Sequence, residues 1–228
     1  MRDFDSTFPK TVKAATDGSL LIYQVETTNC CDATCDYCPR RTQSRQLGMI
    51  SVATFAEVIR VASNKVMALH HFGEPLHNSN LEVMIAMASV SGIDVGFSTN
   101  GSLLDQGRLN KLIDVGLKWC RIHTDPFGVR AAAFDVPSHF ELTEHSIETN
   151  NGAEKKERVS FSGAINGPVG SGGYWRCSFV SQPWVVVLWD GTIATCCHDV
   201  NGIRSYDLCK TCSGYIFDSP RDWGHYDG

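Results

Sequence analysis

The sequence predicts an α/β fold: a partial (β/α) barrel followed by a small C-terminal domain built on a β-hairpin. Three observations point there. Short apolar runs alternate with helical stripes from Leu20 to about His123, which is the pattern of βαβ units around a parallel sheet. The alternation then fades, leaving too few units for eight strands. Near the end, two β-prone runs flank Asp190-Gly191, a residue pair suited to a hairpin turn.

The elements follow in order. Leu20 to Val25 reads as the first strand. Ser51 is placed to cap a helix whose Phe55, Val58, Ile59 and Ala62 recur at helical spacing. Val66 to His70 is the next strand. Leu81, Met84, Ile85 and Ala88 then mark a second helical face behind a cap at Ser79 or Asn80. Val95 to Ser98 is strand again, and Leu109, Leu112 and Ile113 stripe a third helix that stops near Gly116. Trp119 to His123 is the following strand. Asp125 to Lys156 is rich in Pro, Asn, Glu and His and carries no long helical stripe, and Arg158 to Ser162 reads as a short closing strand. Gly-rich Pro168 to Gly173 reads as a linker, and the hairpin arms are Trp184 to Trp189 and Thr192 to Cys196. This divides the chain into a core over residues 1–165, an auxiliary domain over 166–217 and a tail over 218–228.

Composition narrows the function classes. The chain has 228 residues, of which 43% are hydrophobic and 20% charged, enough for one real core with an appendage. A net charge of −5 and a pI near 5.9 oppose a general nucleic-acid footprint, which would be basic. Arg40, Arg41 and Arg45 form a local basic patch that reads as a solvated loop. The opening Met-Arg-Asp-Phe-Asp lacks the apolar stretch of a secretory signal, and no run reaches the length of a membrane span. A cytoplasmic location without a membrane partner is expected. Ten cysteines in such a chain suit metal ligation better than a disulfide framework.

Three of these cysteines, Cys31, Cys35 and Cys38, fall within eight residues. Three thiolates from one loop hold a [4Fe–4S] cluster by three irons and leave the fourth open, whereas electron-transfer ferredoxins use four thiolates per cluster. Tyr37 places an aromatic residue directly before the last cysteine. This Cys-x3-Cys-x-aromatic-Cys pattern, preceded by Glu26-Thr27-Thr28-Asn29, resembles the signature of the radical S-adenosylmethionine (SAM) enzymes. Gly73-Glu74-Pro75 after Val66 to His71, and Ser98-Thr99-Asn100-Gly101 after Ile93 to Phe97, resemble two further motifs of that family in the same order. The resemblance covers about Tyr23 to Cys212.

The resemblance implies a cluster whose open iron chelates the amino and carboxylate groups of SAM, reductive cleavage of SAM, and hydrogen abstraction by a 5′-deoxyadenosyl radical. It implies cofactor contacts from Tyr37, Gly73, Glu74, Ser98, Thr99 and Asn100. Gly-Glu-Pro would meet the SAM amino group, and Ser-Thr-Asn-Gly the ribose and methionine portions. Strand ends are where parallel α/β sheets gather function, and all three motifs sit at such ends.

Cys177, Cys196, Cys197, Cys209 and Cys212 form a second group. Their arrangement resembles the twitch domain of certain radical SAM enzymes, a shorter relative of the SPASM domain. That implies an auxiliary [4Fe–4S] cluster on Cys177, Cys196, Cys209 and Cys212. Only twelve residues separate Cys196 from Cys209, fewer than the family's usual helical segment, which implies a more exposed site or altered ligation. The alternative is a structural zinc site on Cys209, Cys212, a hairpin cysteine and His198. Cys30 and Cys120 are not assigned as ligands.

Among relatives with one auxiliary cluster, the resemblance is closest to dehydrogenases such as 2-deoxy-scyllo-inosamine dehydrogenase. It implies oxidation of a small polar metabolite, with flavodoxin or ferredoxin as reductant. Modification of a peptide side chain is the alternative within the same chemistry. A non-catalytic, zinc-stapled binding protein is the alternative of another class. Arg121, His123 and Asp125 lie near one strand end, but the sequence assigns no catalytic residue. His70, His71 and His77 around Gly-Glu-Pro read as structural.

Overall fold

The computed structural model describes residues 9–35, 38–124, 127–145, 184–194, 197 and 199–202. Within them the chain forms β1 (Leu21–Val25), α1 (Val52–Val61), β2 (Val66–Ala68), α2 (Leu81–Val90), β3 (Asp94–Thr99), α3 (Gln106–Asp114), β4 (Trp119–His123), β5 (Glu141–His145), β6 (Trp184–Val187) and β7 (Ile193–Ala194). The seven strands make one sheet in the order β5-β4-β3-β2-β1-β6-β7. All neighbouring pairs are parallel except β6–β7. The α/β class and the open, partial barrel therefore hold.

One face of the sheet builds the main core. Ile22 and Val25 of β1, Met67 of β2, Val95 and Phe97 of β3, and Cys120 and Ile122 of β4 are buried against Phe55, Val58, Leu81, Met84, Ile85, Leu109 and Leu112 of the helices. The spacing of these helical residues is the 3.6-residue stripe of an amphipathic helix. Ser51 Oγ accepts from Thr54 N at 3.0 Å and Asp105 Oδ1 from Arg108 N at 2.7 Å, satisfying amide donors that an uncapped helix would leave without partners. At α2 the capping position falls on Asn80, but its side chain makes no cap bond. Instead Asn80 N donates to Asn78 Oδ1.

β5 lies inside the stretch whose sequence carried no element. Its burial is slight, with Leu142 packed on the core and the remaining side chains of Glu-Leu-Thr-Glu-His turned elsewhere or exposed. Pairing supplies what its apolar content does not: Trp119 to His123 run in parallel register with Glu141 to His145. Arg158 to Ser162 lies outside the described residues.

The hairpin forms with Asp190-Gly191 at its turn, Gly191 adopting a φ of 84° that an L side chain resists. Its first strand does more than pair with its partner. β6 runs parallel to β1, from Leu21 opposite Trp184 to Val25 opposite Val187, so the hairpin extends the core sheet. The 165/166 boundary and the tail over 218–228 lie outside the described residues. Among the described residues, no helix is long and apolar enough to cross a membrane.

The second face of the sheet carries the polar side chains of Gln24 and His70, both buried, and Gly96 shapes it. A methyl group there would collide with the Trp119 indole, which lies on the adjacent strand in register with Gly96. Gly96→Ala is expected to lower unfolding stability by ~1–3 kcal/mol, read by denaturant titration, as Trp119 is driven from its place beside His70.

Candidate active site

The ends of β1, β2 and β3 meet at one edge of the sheet, and the chain leaving β1 is fastened there before the first cysteine. Thr28 Oγ1 donates to Gly48 O at 2.8 Å, and the Asn29 carboxamide bonds both Gln46 O and Gly48 N at 2.8 Å. Ile50 N donates to Thr27 O at 2.9 Å. Glu26, 0% exposed, receives a two-pronged ion pair from Arg45 at 2.7 and 2.8 Å. Arg45 Nε also donates to Val200 O at 2.8 Å, and Ser44 N donates to Asn201 Oδ1 at 2.8 Å. The segment following the cysteine loop is thereby tied to the chain just beyond the hairpin.

Cys31, Cys35 and Cys38 are free, half-buried thiols on this anchored loop. Cys38 N donates to Cys35 O at 3.1 Å, a turn that brings the last two together. Arg40 reaches back to Ala33 O at 2.7 Å and braces the loop from within. Burial pushes the Cys31 and Cys38 thiols up, opposed by the Ala33 N–H at Cys31 and by Arg40 at both.

Glu74 joins the three strand ends. Its N–H donates to Cys30 O at 2.8 Å, binding the cysteine loop to the turn after β2. Its buried carboxylate accepts from Leu76 N (3.1 Å), Thr99 Oγ1 (2.7 Å) and Asn100 N (2.8 Å). Burial pushes this carboxyl above its ordinary range, against the pull of those donors. Gly73 must be glycine, since a Cβ would strike the Thr28 carbonyl. Asp32, between the first two cysteines, accepts from Asn100 Nδ2 at 2.8 Å and Ser102 Oγ at 2.6 Å, with His77 Nε2 at 3.5 Å. Asn100 Nδ2 also lies 3.8 Å from Cys31 Sγ.

The polar face of the sheet continues inward from this edge. His70 Nδ1 accepts from Ser98 N at 3.1 Å, and the Gln24 carboxamide bridges His70 and His71 at 3.2 Å each. Full burial drives His70 down to about 3, with His123 and Arg121 adding repulsion. It is a neutral, structural imidazole at physiological pH. His123 faces His145 across β4–β5 at 5.3 Å between ring centres. Tyr23 packs edge-on to Trp184 at 6.0 Å.

The sequence-assigned residues therefore fall into two sets. Cys31, Cys35, Cys38, Gly73, Glu74, Ser98, Thr99 and Asn100 share one edge. Tyr37, Cys177, Cys196, Cys209 and Cys212, with Asp125 and His198, lie outside the described residues. The shared edge has the character of a cofactor site. Three soft thiol donors stand ready, a donor set that selects iron–sulfur clusters among other metals. Ser98 Oγ is buried without a hydrogen-bond partner among the described residues, and such an atom calls for a polar ligand. Among the described residues, no three His, Cys, Asp and Glu side chains converge as a single-ion site.

Two features escaped the motif reading. Glu74 and Thr99 turn their side chains on each other, so the carboxylate and hydroxyl form the platform and do not face outward. Asp32 and Glu26 were not singled out as partners, and Arg45, which the sequence places in a solvated basic patch, is instead 12% exposed and paired with Glu26. A lone carboxylate inside a cysteine loop, and an acid closing an apolar strand, were the available signals.

Residues 25–130 match the radical SAM superfamily. A curated relative, the S-adenosyl-L-methionine-dependent 2-deoxy-scyllo-inosamine dehydrogenase of Niallia circulans, is 28% identical over 102 residues, which is 42% of this chain and 41% of the relative. The match thus spans about two fifths of that relative's length. A crystal structure of BtrN in complex with AdoMet and 2-DOIA superposes with a TM-score of 0.58 at 19% identity, covering 81% of this chain and 76% of that one. It shares the fold. A second crystal structure, of selenomethionine BtrN in an open conformation, gives a TM-score of 0.49 at 18% identity, covering 84% and 83%. Residues 25–130, a little under half of this chain, are thus similar to the radical SAM superfamily.

Proposed function

We propose that this protein is a radical SAM dehydrogenase acting on a small polar metabolite. The observation that carries the reading is the joining of the cysteine loop, the Gly-Glu-Pro turn and the Ser-Thr-Asn-Gly turn through Glu74. When bound, the cluster and SAM supply one-electron cleavage of the sulfonium and a 5′-deoxyadenosyl group that takes hydrogen from substrate. Cys31, Cys35 and Cys38 would hold that cluster. Glu74 works as a platform: with its carboxylate bonded inward, contact with a ligand amino group falls to the main chain of the turn. Ser98 Oγ offers an unused hydroxyl to a ribose-like group. Arg121, His123 and His145 on the polar face supply hydrogen-bonding groups for a hydroxylated substrate.

Net dehydrogenation also removes one electron and one proton beyond the abstracted hydrogen atom. Cys177, Cys196, Cys209 and Cys212 would hold an auxiliary [4Fe–4S] cluster, which would supply an acceptor for that electron. A flavodoxin or ferredoxin supplies the reducing electron for SAM, in a cytoplasmic setting. The similarity to a 2-deoxy-scyllo-inosamine dehydrogenase supports this reading.

Anaerobically reconstituted, reduced protein is expected to release 5′-deoxyadenosine from SAM and to convert a cyclic polyol or amino-polyol to a ketone, both read by mass spectrometry. Deoxyadenosine without any oxidised product across such a panel would count against dehydrogenation. Replacing Cys31, Cys35 or Cys38 by Ala should abolish SAM cleavage, while Cys30→Ala retains it. A Cys209→Ala/Cys212→Ala variant should lose about half its iron, as expected for one of two like clusters, yet still cleave SAM; unchanged iron content would remove the auxiliary cluster from the proposal. Glu74→Gln places an amide donor against Asn100 N–H, so unfolding stability should fall by ~1–3 kcal/mol, with weaker SAM binding by equilibrium dialysis.

A further inference from the structure

Asp32 stands one residue from a cluster ligand, and no cofactor contact accounts for it. Its two oxygens are engaged separately. Oδ1 accepts from Asn100 Nδ2 at 2.8 Å, and Oδ2 accepts from Ser102 Oγ at 2.6 Å. The other end of the Asn100 carboxamide is fixed as well, because its Oδ1 accepts from Ser102 N at 2.9 Å. That bond settles which way the amide points. With the oxygen held by a backbone donor, the NH2 group must face Asp32, and its two hydrogens have two acceptors within reach: Asp32 Oδ1 and, at 3.8 Å, Cys31 Sγ.

The consequence lies in what each bond does to the next. A carboxylate accepting one amide hydrogen holds the planar group, and so aims the other hydrogen along a defined line. That line runs to the sulfur of the first cluster cysteine. Hydrogen bonds to cluster sulfurs and nearby charge are among the main determinants of cluster potential, and partners behind the ligands fix ligand orientation. Asn100 N is held in turn by Glu74, so the carboxamide has little freedom left.

We propose that Asp32 is a positioning residue that orients the Asn100 carboxamide toward Cys31 Sγ and so fixes the environment of that thiolate in the loaded protein. The role gives Asn100 an inward function, distinct from contact with the ribose or methionine portions of SAM. It rests on the radical SAM reading for the cluster itself, but not for the hydrogen-bond chain, which belongs to the polypeptide.

The test separates charge from position. Asp32→Asn removes the charge but keeps an oxygen acceptor for Asn100; Asp32→Leu removes both at similar size. In cluster-free protein, the two side-chain N–H signals of Asn100 should be well dispersed by NMR in wild type and in D32N, and should collapse toward the free-amide position in D32L. Dispersion retained in D32L would overturn the proposal, whether or not a cluster ever loads. In reconstituted protein, D32L and N100A should each release iron to a chelator ~10-fold faster and share an altered EPR spectrum of the reduced cluster, while D32N keeps the wild-type line shape. In the N100A background, D32N and D32L should be indistinguishable; a persisting difference shows that Asp32 acts by another route and overturns the proposal. A D32L protein unable to hold a cluster that N100A holds would do the same. Wild-type protein that takes up no [4Fe–4S] cluster would instead sink the radical SAM reading, leaving the NMR result to decide the hydrogen-bond chain.

Discussion

Three loops from three different strands have to arrive at one place, and Glu74 is the group that makes them agree. Its backbone N–H holds Cys30 O, while its side chain holds Thr99 and Asn100. At 2% exposure, such a carboxylate is costly to bury without partners. Three donors supply them, and each comes from a part of the edge that must stay put. Desolvation is thus converted into order, because any loop that drifts leaves a buried oxygen without a bond. The nearness of Gly73 to the Thr28 carbonyl shows how closely the first two loops are drawn together.

A second buried carboxylate performs a comparable service one strand away. Glu26 is matched by Arg45 in a two-pronged pair, and Trp189 N approaches the same oxygen at 3.3 Å. Breaking a buried pair by removing one partner typically costs ~3–5 kcal/mol. Here the guanidinium reaches past Glu26 to Val200 O, so the cysteine loop's outgoing segment and the chain after the hairpin share one anchor. The two cysteine groups lie far apart in sequence, yet their flanking segments are braced against a common charge.

Most of the fold was legible because the central strands and helices follow simple periodicities. Phe55, Val58, Leu81, Met84, Ile85, Leu109 and Leu112 were marked by spacing and are all buried. β5 was not legible, since a strand held by its neighbour's backbone needs little apolar content of its own. The parallel docking of β6 on β1 was equally hidden: a hairpin signal specifies the partner across the turn, not the strand on the other side. For the site, the motifs marked residues that the structure gathers at one edge, but not the direction of each side chain. Glu74, Thr99 and Asn100 carry polar groups that sequence alone directs toward a ligand, whereas packing turns Glu74 and Thr99 toward each other and the Asn100 carboxamide toward Asp32. Short-range chemistry is written in residue type, but the choice between neighbours and solvent is made by the assembled sheet.

The insertion of β6 beside β1 has a consequence for biogenesis. The partner of β1 on that side is synthesised some 160 residues after it. Until then β1 presents an open row of amides and carbonyls, and such exposed edges invite pairing with other chains. Contacts this distant in sequence also form slowly. A nascent or prematurely terminated polypeptide ending before Trp184 would keep that sticky margin permanently, so aggregation of incomplete chains is the hazard this topology creates during expression.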